Sequence, residues 1–339
     1  MSNNITTNQH FVPQSYLRRF ASSKEQVCVF DKSKQSQFVT SVRNVASERY
    51  FYDLPVDEVA KDADFQVLEK MFQKVENHFS KAVEKVAASV ETGQRMEMKQ
   101  KQALAYFLHV QQARTRKSRN RQMELLGKMM TSLGEKQLKL KGFDLEELGV
   151  SVTMDEKAVL GLQGGMIFNY KEALHFVETL LNHACFIGVN QTSTPLWTSD
   201  DPVVMQAHER HPVMSMAGTA SRGIEIAFPL TPALILILFE RTFHQDLSNH
   251  LYEHIMLNEE DITYYNGMQA EQSHRQIYSS NDNFALALNL CKQHPELCDP
   301  ERAGVEMNDL NIDGKDIIHS KNVDLRLRRV RRFQDIGRR

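Results

Sequence analysis

Two adjacent carboxylates, Asp200 and Asp201, lie in the stretch Pro195-Leu-Trp-Thr-Ser-Asp-Asp-Pro-Val-Val204, beside two hydroxyls and the only tryptophan of the chain. Carboxylates at a strand end can hold a hard divalent cation or move a proton. Asp200 is the expected catalytic member of the pair. Asp201 precedes Pro202 and is pushed toward an extended conformation, and successive strand residues face opposite sides. Ser199 and Thr198 supply hydroxyls to orient the Asp200 side chain. The same residues also make a good turn, because Asp bonds its own backbone and Pro fixes φ. His10 and Glu76 are the candidate general bases, and Glu225 is a further carboxylate on a strand.

The candidate ligand contacts are mostly cationic. Arg114 continues the apolar stripe of a helix, where an unpaired charge is costly, so it needs a carboxylate or phosphate partner. Glu76, bordering the stripe of the preceding helix, is its expected mate. Arg116, Arg119 and Arg121 follow at spacings that spread charge around the helix. Residues 94–142 hold twelve Lys and Arg against three Glu, a net +9, and residues 321–339 hold eight basic against two acidic residues, a net +6. The whole chain is only −2. Charge segregated in this way is suited to a polyanion, and RNA or DNA is the expected partner. Gln14, Tyr16 and Arg275 complete the candidate binding set, with Ser199 beside them.

The elements that must position these residues can be read from periodicity. Residues 10–20 open a short helix near Pro13, and Gln26–Phe30 with Gln37–Thr40 alternate as a hairpin. Tyr50–Tyr52 reads as another strand. From Asp62 to Val90 the apolar residues Phe65, Leu68, Phe72, Val75, Phe79, Val83, Val86 and Val90 recur in steps of three and four, the mark of an amphipathic helix. A second, antiparallel helix runs from about Glu97 past Met130. Lys141–Gly149 reads as a surface excursion, and Gly164-Gly165 as a break. Tyr170–Asn182 is helical and feeds a strand at Cys185. Gly223–Phe228 alternates as a half-buried strand, and Ala233–Phe239 is apolar throughout, as in a fully buried one. Asn258 caps a helix with acids in its first turn. Another helix spans Asn281–Lys292. The expected class is α+β. A central mixed or antiparallel sheet of N-terminal and central strands is flanked by the long antiparallel helical pair and by C-terminal helices. Residues 1–300 form one interleaved domain, and 301–339 a polar, basic tail.

With 41% hydrophobic and 25% charged residues, the composition is that of an ordinary soluble domain. No signal peptide is expected at the N-terminus, and no apolar run approaches a membrane span. Four scattered cysteines fit a reducing cytoplasm. Cys291, His294 and Cys298 offer at most three zinc ligands without a second pair, so a metal is not expected there. No Gly-rich phosphate loop or nucleophile elbow is present.

His10-Phe-Val-Pro-Gln-Ser-Tyr-Leu-Arg-Arg-Phe20, Thr198-Ser-Asp-Asp-Pro-Val203, Phe228-Pro-Leu-Thr-Pro232 and Asn266…Arg275-Gln-Ile-Tyr-Ser279 occur in this order. Together they resemble the bacterial family known as domain of unknown function 4238, over roughly residues 8–290. The resemblance implies one domain with interleaved N- and C-terminal parts, from a bacterium or its mobile elements. For function, a small-molecule pocket lined by His10, Tyr16, Trp197 and Arg114 is one class, and two nucleic-acid classes stand beside it. One is a nucleic-acid-acting enzyme, nuclease-like and dependent on a divalent metal such as Mg²⁺. Here the spacing of Asp200 and Glu225 is similar to the Asp…Glu-x-Lys arrangement of restriction-type nucleases, with Ala227 in place of the lysine. The other is a non-catalytic nucleic-acid- or protein-binding module.

Overall fold

The computed structural model describes residues 7–52, 67–142, 169–209, 216–244, 247, 253–312 and 315–322. An apolar strand buried on both faces is the natural centre of a sheet, and β9 (Leu234–Phe239) occupies that place. Leu234, Leu236 and Leu238 point to one core, while Ile235, Ile237 and Phe239 point to another. Around it run β5 (Ala184–Asn190), β7 (Val204–Ala207), β8 (Ile224–Thr231) and β10 (His254–Leu257) in the order β10-β5-β9-β8-β7. The β10–β5 pair is parallel and the others antiparallel, so this sheet is mixed.

The N-terminal strands do not join it. β2 (Gln26–Asp31) and β3 (Ser36–Ser41) form the expected hairpin, and this hairpin builds a second, antiparallel sheet with β6 (Thr198–Ser199) and β11 (Gln276–Ser279). Its order is β3-β2-β11-β6. Residues from three distant parts of the chain therefore share one sheet. β1 (Asn8–His10) pairs with β4 (Ser47–Arg49), and Tyr50–Tyr52, expected as a strand, form the turn that leaves β4.

The first core lies under the helical pair. In α2 (Val67–Glu91) the stripe Leu68, Phe72, Val75, Phe79, Val83, Val86 is buried as its spacing requires. Phe79 stacks on Phe107 of α3 (Met98–Ala113) at 3.7 Å between centroids and meets Phe228 of β8 at 5.9 Å. Residues 62–66 of the expected helix lie outside the described residues, as do 143–149 and Gly164-Gly165.

The second helix is not continuous. α3 ends at Ala113, and α4 runs from Arg116 to Leu140. Thr115 makes the break: its hydroxyl accepts from Ser118 N at 3.2 Å, which is N-cap geometry. α5 (Tyr170–Asn182) packs on α3, and α6 (Glu259–Gln272) packs on the other face of the central sheet. Asn258 caps α6 in a capping box with Asp261. α7 (Ala285–Gln293) follows, and residues Val305–Ile312 and Lys315–Asn322 pair as an antiparallel ribbon, β12–β13, where the sequence suggests a tail. Residues 323–339 lie outside the described residues.

Candidate functional site

The stretch 195–205 is bonded along α6. Asn266, Gln269 and Gln272 recur every third residue, so they share one face of that helix, and each primary amide spends both ends on the stretch. Asn266 accepts from Trp197 N at 2.8 Å and donates to Pro195 O at 2.9 Å. Gln269 accepts from the Ser199 hydroxyl at 2.7 Å and donates to Pro202 O at 2.9 Å. Gln272 accepts from Met205 N at 2.9 Å and donates to Met205 O at 2.8 Å.

Asp200 extends this ladder past the end of the helix. Its carboxylate accepts three backbone N–H bonds at 2.8 Å, from His274 on one oxygen and from Arg275 and Gln276 on the other. It is buried and filled from within. The Arg275 guanidinium turns away and clamps Asp31 with three bonds of 2.6–3.0 Å. Burial raises the Asp31 carboxyl, but bonds from Arg275 and Ser33 outweigh it and leave Asp31 below its usual range. Tyr16 reaches across as well. Its hydroxyl lies 2.7 Å from Thr198 Oγ1 and donates to Pro229 O at 2.7 Å, while its ring stacks on Phe228.

His10, Glu76 and Arg114 form a second group. The expected ion pair is present, Arg114 Nη1 to Glu76 Oε1 at 3.0 Å, with the Arg114 side chain only 1% exposed. The same guanidinium donates to Phe11 O and His10 O at 3.1 Å each and lies over the Phe72 ring. It is a clasp between α3, α2 and the N-terminal segment. Gln14 Nε2 lies 3.4 Å from His10 Nδ1. Burial, followed by the Arg114 charge, pushes the His10 imidazole down to about 4. Of the helical arginines expected at phosphates, Arg119 is buried against the Phe51 ring and donates to Phe51 O at 2.7 Å. Arg116 pairs with Glu48 at 3.4 Å. Of the four, Arg121 lines a cleft.

That cleft is shallow, with a volume of about 30 Å³ that suits a water or two, and lies between the first turns of α4 and the chain that follows α6 and α7. Lys117, Asn120, Arg121, Glu124, His274 and Arg302 line it, and Pro300 and Gly304 close its far wall. Asp201 stands behind Lys117, accepting from the Thr115 hydroxyl at 3.0 Å and lying 3.6 Å from Lys117 Nζ. Burial raises the Asp201 carboxyl, against the pull of Lys117 and Arg121. Cations gather here because α6 ends here, leaving carbonyls without helical partners and the negative end of a dipole. Lys117 donates to Gln272 O, Arg302 to Ser273 O and His274 O, and the buried Lys32 to Ala270 O and Ser273 O. Glu124, the one carboxylate on the wall, accepts from Lys128 and from Gly304 N. The Asn120 side chain and the His274 ring make no hydrogen bond with a described residue. His274 is held below the usual histidine range by burial and by Arg302 and Lys117, against the opposite pull of Asp200 and Asp201.

Five residues flagged by the sequence thus fall into two groups, His10, Glu76 and Arg114 in one and Asp200 and Arg275 in the other, and none of them lines the cleft. Sequence reading missed Asn120, His274 and Arg302. Asn120 lies within the basic run, and His274 immediately precedes the Arg275 motif, so proximity to those motifs was the available signal.

The model of the family described as Protein of unknown function (DUF4238) matches residues 8–283. The chain belongs to this family. No curated protein and no solved structure matches it. In DUF4238 terms, the four motifs are the parts of one knot: Tyr16 on Thr198 and Pro229, Asn266 on Trp197, Asp200 on residues 274–276. The matched region also contains Asn120, Arg121 and His274, whereas Arg302 and Gly304 lie beyond it.

Glu225 lies elsewhere in the DUF4238 fold. The alternation around it suggests a half-buried strand, yet β8 is buried along nearly its whole length. The carboxylate tolerates this because three donors surround it: Tyr265 OH at 2.8 Å, Tyr264 OH at 3.0 Å and His208 Nε2 at 2.7 Å. Tyr265 and the residues that bind Asp200 are separated by at least eight residues of α6 and its exit, about 12 Å of rise. Glu225 therefore serves the middle of that helix and Asp200 the chain just beyond its C-terminal end. Among the described residues no group of three or more His, Cys, Asp or Glu is placed to hold a metal ion, and no helix is long and apolar enough to cross a membrane.

Proposed function

We propose that this chain is a non-catalytic nucleic-acid-binding module of a bacterial cytoplasm, holding an RNA or DNA strand at the cleft where α4 begins. The observation that carries this reading is a contrast in bonding. The carboxylates that a nuclease would need are saturated by backbone and tyrosine donors. In the cleft, by contrast, Asn120 and His274 keep their capacity beside Lys117, Arg121 and Arg302. A phosphate chain is drawn by the charge and needs no reacting centre. Many of the basic residues in 94–142 have internal roles, since Lys101, Arg114, Lys117 and Arg119 are buried. The reading therefore asks for a short footprint of two or three phosphates.

A metal-dependent nuclease, the competing reading, requires Asp200 and Glu225 on one ion. Glu225 bonds the middle of α6 and Asp200 the chain beyond its end, and that separation speaks against it.

Anisotropy of a labelled 12-nucleotide strand, in EDTA at 50–200 mM KCl, tests the proposal. Three cations give a log–log salt slope of roughly −2, at about 0.7 per phosphate for a single strand. Arg121→Glu should abolish binding without lowering the melting temperature. Salt-independent binding, or full binding by Arg121→Glu, would overturn it. Mg²⁺-dependent cleavage that a folded Asp200 variant lacks would restore the nuclease reading.

A further inference from the structure

Of the cysteines scattered along the chain, two meet in the fold. Cys291 lies near the end of α7, and Cys298 ends the single 3₁₀ turn Pro295–Cys298. In an unbroken helix, residues seven apart would be separated by about 10.5 Å of rise. The helix stops first. Proline disfavours helical backbone in the residue before it, and His294 takes φ −137° and ψ 73°. His294 N still donates to Leu290 O at 2.8 Å, and Leu297 N donates to His294 O at 3.0 Å, so the chain turns back against the end of α7. The Cys291 and Cys298 thiols, both reduced, come within one hydrogen bond of each other.

The two thiols differ in access. Cys291 is buried in an apolar cluster with Trp197, Ile277 and Phe284, whereas Cys298 packs on the rim of that cluster and is partly exposed. Burial first, then the hydrogen bond with Cys298, push the Cys291 thiol up to about 12, against the pull of Lys32 and Arg302. Reaction with an oxidant needs a thiolate that the oxidant can reach. An oxidant arriving from solvent therefore meets Cys298, while Cys291 waits beside it with its proton in place. An accessible thiol next to a protected one is the arrangement in which a first oxidation product is resolved as a disulfide.

We propose that Cys291 and Cys298 are a reversible dithiol site that a hydroperoxide oxidises to a disulfide within the native fold. The Cys298 thiolate attacks the O–O bond, which breaks to leave a sulfenic acid on Cys298 and, from hydrogen peroxide, a hydroxide. The Cys291 sulfur then attacks the Cys298 sulfur. The S–O bond breaks, and the hydroxyl leaves with the Cys291 proton as water. In total the two thiols lose two electrons and two protons, and the peroxide takes up both to give two waters. The new ring joins α7 to the turn that leads to Arg302, whose guanidinium holds Glu271 O, Ser273 O and His274 O at the end of α6. Oxidation thus ties α7 to the clamp on α6. The site does not depend on the binding function proposed above.

The test uses the full-length protein, reduced, freed of reductant and treated with hydrogen peroxide. Trypsin cuts after Lys292, so the two cysteines fall in separate peptides, residues 276–292 and 293–302. Mass spectrometry without reductant should find these peptides as one linked pair that dithiothreitol separates, with Cys28 and Cys185 still thiols. Cys291→Ser should stop the reaction at the Cys298 sulfenic acid, which dimedone traps, and Cys298→Ser should leave Cys291 unoxidised. A ring closed over residues 291–298 restricts the unfolded chain, so the oxidised protein should melt about 5 °C higher than the reduced one. No linked pair in the folded wild-type protein, a linkage through Cys28 or Cys185, or a lower melting temperature after oxidation would overturn the proposal. So would oxidation of Cys291 that persists in Cys298→Ser. The wild-type peptides alone decide between these outcomes, so the test survives if either serine variant fails to fold.

Discussion

Asp200→Asn is a nearly isosteric change whose effect depends on what surrounds the side chain. If Asp200 were a reacting group in a pocket, the substitution would keep the fold and remove the chemistry. In the structure all three partners of the carboxylate are backbone donors. An asparagine has one acceptor oxygen, best placed where Arg275 N and Gln276 N converge. Those two bonds change from charged to neutral and lose about 1 kcal/mol each. The amide nitrogen then meets the His274 N–H donor to donor, and stranding a buried N–H costs about 1–3 kcal/mol. The expected loss is about 3–5 kcal/mol, a large share of a stability that is usually about 5–15 kcal/mol. At roughly 2–4 °C per kcal/mol for a domain near this size, the melting temperature should fall by about 10 °C. Asp201→Asn is the internal control. Its amide oxygen can still accept from the Thr115 hydroxyl, and the charge interactions with Lys117 at 3.6 Å and with Arg121 are what is lost, so about 1 kcal/mol is expected. Urea melts of both variants, monitored by circular dichroism, decide the matter. An Asp200→Asn protein within about 1 kcal/mol of wild type, or one less affected than Asp201→Asn, would refute the reasoning.

Arg114→Ala should cost about 3–5 kcal/mol in the same melt, because it strands the Glu76 carboxylate and the Phe11 and His10 carbonyls; Arg114→Lys should recover little, since one ammonium cannot span all three. Glu225→Gln should cost about 2–4 kcal/mol by giving up a charged acceptor shared by two tyrosines and His208, and unaltered stability would show that this cluster contributes nothing. Acid titration should show His10. Its folded value, about 4, lies below an unfolded value of about 6.5, so the unfolded chain binds the extra proton between them; stability should therefore fall as pH drops from 6.5 to 4, and His10→Gln should flatten that slope. Alkaline titration should show Lys101. Burial pushes it down to about 8, so stability should rise between pH 8 and about 10.4, and Lys101→Met should remove the rise.

Much of the frame was legible in the chain, because local rules and tertiary packing agree there. The α2 stripe, the β2–β3 hairpin, the doubly buried β9 and the Asn258 cap each satisfy a short-range pattern that the fold then uses. The Glu76–Arg114 pair was legible too, since an arginine on an apolar stripe has few places to go. Less visible was anything set by a partner far along the chain. Asp200 is defined by three N–H groups at residues 274–276, and no local feature distinguishes a carboxylate so filled from one left open. The basic run misled in a similar way. Spacing shows that charge surrounds a helix, but not that carbonyls at the end of α6 absorb Lys117 while Phe51 covers Arg119. The break at Thr115 escaped because threonine is tolerated inside helices as well as at caps, and only the bond to Ser118 N separates the two.

The central claim assigns two jobs to two places: the Asp200 ladder holds the fold, and the cleft beside it binds. Its most direct test measures Asp200→Asn and Arg121→Glu together, each by thermal melt and by anisotropy of the same labelled strand at a temperature where both remain folded. The account predicts a double dissociation, with Asp200→Asn losing about 10 °C of melting temperature yet binding within about twofold of wild type. Arg121→Glu should melt like wild type and lose binding by more than tenfold. The reverse pattern, a stable Asp200→Asn that no longer binds beside an Arg121→Glu that binds normally, would contradict the account.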